Sequence, residues 1–337
     1  MAAAAKRVHV FYHYPCPDGV FGALAVHAYY TREASKAEVC FYPCRIFEAP
    51  ETVVPDPGSV FDTSDAAVFV DYTANEAFVA AVASAVGSVT ILDHHKTAAE
   101  WLAAASLPDN VQVVMDMDRS GATIARDHYG LLVDPSLAQD GPGRTQALFA
   151  HTPAHHPDLH AMYAMVEDTD LWNWALPDSR PWSAGLSALD LEFSPLAFPG
   201  IFDALIALDP AAVIQTGVAA LEEKTRAVNR AVEEDAFQVN LPDSPFPNPV
   251  LGLITSTPEY RSDLGNALAL AGVDKGLPAI GLVAYKEDRL DDALIKVSLR
   301  SIGEFDISSI AKANGGGGHA NAASFVCPQS DLESWKL

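Results

Sequence analysis

Three places in the N-terminal half put histidine or carboxylate directly after a short apolar run. The first reads Tyr12-His13-Tyr14-Pro15-Cys16-Pro17-Asp18-Gly19, the second Val70-Asp71-Tyr72-Thr73 and the third Asp93-His94-His95-Lys96. A fourth acidic stretch, Glu167-Asp168-Thr169-Asp170, sits in helical-looking sequence. Imidazole nitrogen and carboxylate oxygen together suit Mn²⁺ or Zn²⁺, and a carboxylate can bridge two ions. Two such ions activate water as a nucleophile and neutralise charge on phosphorus. Taken singly, each stretch has a plainer reading: Asp71 as a turn or capping residue, the paired histidines as a surface turn, the acids from 167 to 170 as a solvated helix face. Gathered on one sheet edge, these groups would repel or lack solvation unless cations held them.

The surrounding elements are those that would gather them. Apolar runs at Val8 to Tyr12, Glu38 to Tyr42, Ala66 to Tyr72, Ser88 to Leu92 and Val111 to Met115 alternate with helical spacing at Val20 to Tyr30, Ala74 to Ala85, Thr97 to Ala105 and Ser120 to Tyr129. That alternation is the mark of parallel α/β units, whose ligands collect at the carboxyl ends of the strands. Residues 144–239 read as mainly helical. The proline cluster from Leu241 to Pro249 then reads as a linker. Beyond it, strands are expected at Val250 to Thr255, Leu277 to Tyr285 and Ala293 to Arg300, with helices at Ser262 to Ala271 and Ile307 to Asn314. The expected organisation is therefore a first domain over 1–240, a linker over 241–249 and a smaller mixed α/β domain of about 90 residues over 250–337, within the usual domain range.

Bulk properties narrow the function. The 337 residues are 49% hydrophobic, enough for large cores, and their formal net charge is −23. Such a field opposes a long polyanion, so duplex nucleic acid on a broad basic surface is excluded, while a short anion held through metal ions is compatible. The four cysteines, 16, 40, 44 and 327, form no CxxC pair or disulfide framework. Residues 1–7 lack an adequate apolar leader segment, and no run of about twenty uncharged apolar residues occurs. A soluble, cytoplasmic protein with no membrane partner is expected, and a homodimer is compatible with this.

The stretch VTILDHHKTA resembles the signature of the DHH phosphoesterase superfamily. FYHYPCPDGVFGA is similar to that family's first motif in a His-x-x-Cys-x-Asp-Gly form, VFVDYT to its second, MVEDTDLW to its fourth, and NGGGGHANAASF to the glycine-rich signature of the DHH-associated C-terminal domain. The five motifs stand in family order over nearly the whole chain.

The resemblance implies two domains with the active site in the cleft between them, and phosphoesterase or pyrophosphatase activity with two Mn²⁺ ions. Zn²⁺, Fe or Mg²⁺ are the other candidates. It makes His13, Asp18, Asp71, His94 and Asp168 metal ligands, with Asp71 bridging and Asp170 in reserve should Asp168 be misplaced. Asp93 would orient an imidazole or fix the turn, and His95 would act on the phosphoryl group. Cys16 departs from the commoner pattern of two aspartates one residue apart. As a ligand it would favour a softer ion, and as a non-ligand it is a buried spacer. In the C-terminal part, Arg300, Ser301, Gly316, Gly317, Gly318 and His319 would grip substrate phosphate, the glycines by close backbone approach. Trp172 and Trp174 read as core residues or as a platform for a base, and Arg119 and Lys96 as auxiliary phosphate contacts. The expected substrate is a small phosphorylated nucleotide: a short single-stranded oligonucleotide, a dinucleotide or a nucleoside bisphosphate. An inorganic pyrophosphate or polyphosphate hydrolase and a non-catalytic nucleotide-binding protein are the alternatives.

Overall fold

A computed structural model describes residues 7–32, 37–45, 48–152, 158–287 and 290–337. The leader reading of residues 1–7 falls almost wholly outside the described residues, as does the 153–157 part of the helical middle. The chain divides into two units, Met1–Ala220 and Leu221–Leu337.

In the first unit, strands and helices alternate as β1 (Arg7–His13), α1 (Pro17–Tyr30), β2 (Glu38–Cys44), α2 (Pro57–Val60), β3 (Ala66–Val70), α3 (Glu76–Ala85), β4 (Ser88–Asp93), α4 (Lys96–Ala104), β5 (Val111–Met115) and α5 (Gly121–Val133). Helices α6 (Gly141–Phe149), α7 (Leu159–Asp170), α8 (Ser179–Ala188), α9 (Ile201–Ile206) and α10 (Pro210–Asp235) follow, and the division between units falls inside α10. The five strands pair in parallel in the order β2-β1-β3-β4-β5. Both faces of the central strands are covered, which is why β1 and β3 are buried almost throughout rather than in alternation. Val8, Val10 and Tyr12 of β1 enter one core with α1 and α5, while Phe11 enters the other with Phe69 and with Phe78 of α3. The order reverses between β1 and β3, which opens a crevice at the carboxyl ends of those two strands.

The second unit has its own six-stranded sheet, β10-β11-β9-β8-β7-β6. Its elements are β6 (Phe237–Val239), β7 (Val250–Ile254), α11 (Arg261–Asp274), β8 (Ile280–Tyr285), β9 (Leu294–Ser301), α12 (Ser308–Ala313), β10 (Gly317–His319), β11 (Ala322–Pro328) and α13 (Gln329–Trp335). Only β7 and β8 pair in parallel, so the sheet is mixed.

The boundary at residue 240 and the 241–249 linker are corrected by this arrangement. Strand β6 precedes the proline cluster and pairs antiparallel with β7. Leu241 is 2% exposed in the second unit's core, and Asn248 closes the segment by bonding both the N–H and the carbonyl of Leu241. The prolines remove backbone donors and so resemble a spacer in sequence, yet two side chains staple them into the unit.

Candidate metal centre

Each carboxyl end in the first sheet presents a polar group for an identifiable local reason. His13 is the last residue of β1. Cys16 takes extended angles as the N-cap of α1, with Pro17 in the first helical turn, where its missing N–H costs nothing. Gly19 has to be glycine, since a Cβ there would stand 2.0 Å from the His13 carbonyl oxygen. Strand β3 ends at Val70, two residues before the expected Tyr72, because Asp71 turns to a φ of 52°. Aspartate tolerates that left-handed conformation better than most residues, and here it swings the carboxylate over the crevice.

The result is a connected cluster. The Asp71 carboxylate lies with Oδ2 3.2 Å from His13 Nδ1 and Oδ1 3.1 Å from His94 Nε2. His94 Nε2 is also 3.4 Å from Asp170 Oδ2 and 3.7 Å from Asp18 Oδ2. Three donor groups overlap here: His13, Cys16 and Asp71; Asp18, His94 and Asp170; and Asp71, Asp93, His94 and His95. Within each group one ligand atom per residue lies within 4.8 Å of the others.

Asp18 is 1% exposed, and its two oxygens accept from the Gly121 and Ala122 N–H groups at 2.7 and 3.0 Å. These are orphan donors at the N-terminus of α5, which favours an anion there. The approach depends on Gly121, whose Cβ position would be 2.5 Å from that of Asp71. Ser120 caps α5 as expected, accepting from the Thr123 N–H. Glu167 accepts from Arg119 Nε at 2.7 Å and from the Ser120 N–H at 3.1 Å, so the same acid that reads as a helix face holds the entry to α5.

Asp93 ends β4 and is 0% exposed. Its Oδ1 accepts from the His94 and His95 N–H groups and faces His95 Nδ1 at 2.7 Å, while Oδ2 accepts from Thr73 Oγ1. The His95–Asp93 hydrogen bond is the main cause raising the His95 imidazole to about 9, against the burial that opposes its charge. Burial alone would raise Asp71, but hydrogen bonds from His13 and His94 hold it down at about 2. Asp18 and Asp170 are both raised, first by burial and then by the charge of Asp71. Carboxylates crowded this way, with only imidazoles to balance them, fit divalent cations, and the mixed O, N and S donors are of types that bind them.

Asp168 is the residue that the fold takes away. Its oxygens accept from the Ala175 and Leu176 N–H groups at 2.9 and 3.1 Å, closing the turn after α7, whereas Asp170 reaches the cluster. Two residues apart on a helix, the pair must face different ways. Trp172 is 77% exposed rather than packed in a core, with Trp174 edge-on beside it and Arg180 over the Trp174 ring. Arg119 is occupied by Glu167 and Asp127, and Lys96 is an exposed partner of Glu100.

In the second unit, Arg300, Gly317 and Gly318 line a cavity of about 260 Å³. Arg261, Tyr285, Lys296, Ser298 and Ser324 share it, and these were not singled out from sequence. Lys296 was hidden because only the pleat of β9 puts it, two positions before Ser298, on the face shared with Arg300, two positions after. Ser301, Gly316 and His319 are not among the lining residues. Ser301 is 5% exposed and donates to the Phe305 carbonyl, Gly316 packs on Ser324, and His319 is exposed at the end of β10. The glycine run therefore forms a short hairpin strand, not an open loop, with Gly317 opposite Ser324.

Fold and site together define a two-unit α/β protein with a candidate centre for divalent cations at the switch point of a parallel sheet. The model of the DHHA1 domain matches residues 261–335, within the second unit. The Asp93-His94-His95 stretch, which resembles the DHH signature, lies in the first unit, outside that match.

An uncharacterized protein, R106, of Acanthamoeba polyphaga mimivirus is 21% identical over 320 residues, covering 93% of this chain and 66% of the relative. The chain thus spans slightly less than two thirds of that relative's length. Among solved structures, an exopolyphosphatase-related protein from Bacteroides fragilis is 13% identical with a TM-score of 0.42, over 96% of this chain and 87% of that one. The pGpG-specific phosphodiesterase PggH of Vibrio cholerae is 11% identical with a TM-score of 0.44, over 98% and 96%.

Proposed function

We propose that the protein is a metal-dependent phosphoesterase that hydrolyses a small phosphorylated nucleotide: a short oligonucleotide, a dinucleotide or a nucleoside bisphosphate. The observation that carries this reading is the meeting of His13 and His94 on the Asp71 carboxylate at the sheet's switch point, with Asp18 and Asp170 beside His94. These five residues are the proposed ligands of divalent ions, Mn²⁺ first among the candidates. A bound divalent ion supplies Lewis acidity and a water that ionises near neutrality. The chain's own contribution is placement. Asp93 engages Nδ1 of His95, so Nε2 is left free to face a phosphoryl oxygen. In the second unit, Arg300, Lys296 and Arg261 are the anion grip of the same reading, with the Gly317 and Gly318 backbone beside them.

Those three cations favour one further reading, an inorganic pyrophosphate or polyphosphate hydrolase, because they offer charge with a single aromatic, Tyr285, which is 5% exposed. The test is hydrolysis by the purified full chain, with Mn²⁺, of a linear dinucleotide and of pyrophosphate in parallel. Release of nucleoside monophosphate, lost with EDTA and in Asp71→Ala, is expected. Faster release of phosphate from pyrophosphate would shift the assignment to the second reading. No hydrolysis of either by a protein that binds Mn²⁺ would reject both.

A further inference from the structure

The donor groups of the centre are not alike. One brings together imidazole, thiol and carboxylate from His13, Cys16 and Asp71; its neighbour brings imidazole and two carboxylates from His94, Asp18 and Asp170. Asp71 faces both imidazoles with different oxygens, Oδ2 toward His13 and Oδ1 toward His94. Cys44 and Cys327 are buried members of hydrophobic cores, whereas Cys16 belongs to none of them: it stands at the helix N-cap, lines a small cavity with Val166, Trp182 and Leu186, and is grouped with His13 and the Asp71 carboxylate. Pro17 in the first turn fixes the backbone angle directly after it, so the sulfur is presented by a stiff segment.

Resting on the metal-centre reading above, we propose that Cys16 is a ligand and makes the two ion positions chemically different. The His13, Cys16 and Asp71 position takes a thiophilic ion such as Zn²⁺, Fe²⁺ or Co²⁺. The Asp18, His94 and Asp170 position takes a hard ion such as Mn²⁺ or Mg²⁺. Sulfur polarises toward the softer ion and gains little from a hard one, so a thiol in place of a carboxylate raises the preference for the softer ion above that of an oxygen and imidazole set. On binding, the Cys16 S–H proton is released to solvent and the sulfur lone pair forms the bond to the ion, with no change of oxidation state.

The test is titration of the metal-free full chain with Co²⁺, read by near-ultraviolet absorption and by equilibrium dialysis. A sulfur-to-cobalt charge-transfer band is expected in the wild type and in Cys40→Ser, and is expected to vanish in Cys16→Ser. In Cys16→Asp the preference for Zn²⁺ over Mn²⁺ should fall by about tenfold or more, the scale on which a ligand's chemistry alters metal affinity. Circular dichroism of each variant separates misfolding from ligand loss. Two bound Co²⁺ ions without the band, or a band that survives in a folded Cys16→Ser, would overturn the inference and leave the hydrolase reading standing. A wild type that binds no divalent ion at all would overturn both.

Discussion

Asp168 and Asp170 show what side-chain direction adds to residue type. Both are acids in the same motif, and only the helix phase sends one into a backbone cap and the other to the cluster. Asp168→Asn is expected to cost about 1–3 kcal/mol, because a capping acceptor of two N–H groups loses its charge and part of its capacity. Asp170→Asn should leave the unfolding midpoint near or above wild type, since its carboxyl is raised by burial and by Asp71, while Mn²⁺ affinity falls at least about tenfold. Urea denaturation and Mn²⁺ calorimetry on both variants check this, and equal metal loss in the two would contradict it. The types and strand-end positions of His13, Asp71, Asp93 and His94 were legible because each follows an apolar run, whereas Asp18 lies in the first turn of α1 and was legible only from the turn that precedes the helix. The choice between the two aspartates was not, because residue order does not say which face of α7 looks inward.

At the scale of elements, the N-terminus of α5 is the hinge of the site's geometry: its N–H groups hold Asp18, and its first glycine makes room for Asp71. Gly121→Ala forces apart groups that have no slack, so a loss of about 1–3 kcal/mol is expected together with weakened Mn²⁺ binding. Gly58→Ala, on the exposed α2, where the nearest atom is an Asp56 oxygen at 3.4 Å, is the control and should retain full binding. Thermal denaturation and Mn²⁺ titration of the pair decide the matter. The five strands of the first sheet could be read from sequence because a doubly covered parallel strand is a short apolar run with little ambiguity. The β6 strand before the proline cluster could not. It is only three residues long, and its pairing with β7 is set by the buried Leu241 and the Asn248 clasp rather than by local pattern.

For the molecule as a whole, charge and ion binding govern stability. Burial lowers the imidazoles of His9, His27, His128 and His160 below their ordinary range, so the fold holds them neutral. Such a group contributes stability that is complete above about pH 6.5 and is lost as pH falls toward its lowered value. His27 stacks on Phe202 at 4.7 Å, and its Nδ1 is buried without a partner among the described residues. His27→Phe is therefore expected to narrow the fall in melting temperature between pH 7 and pH 5. A pH profile parallel to that of wild type would reject the assignment. Mn²⁺ at a hundred times its dissociation constant should stabilise the protein by about 2.7 kcal/mol, an effect that Asp71→Ala should remove. Among the described residues no helix is long and apolar enough to cross a membrane. The two-unit plan was legible from the change in pattern after residue 240. Its boundary was not, because α10 runs unbroken through the division, with Val213 in one core and Val228 in another.

On the proposed two-ion reading, the single carboxylate of Asp71, turned to His13 with one oxygen and to His94 with the other, would make ion loading a reciprocal equilibrium. Whichever seat fills first fixes the shared group for the second, and by linkage the second must return the same factor to the first. Stripping the protein with graded chelator should accordingly empty the seats in a correlated manner, with the departure of one ion loosening its companion.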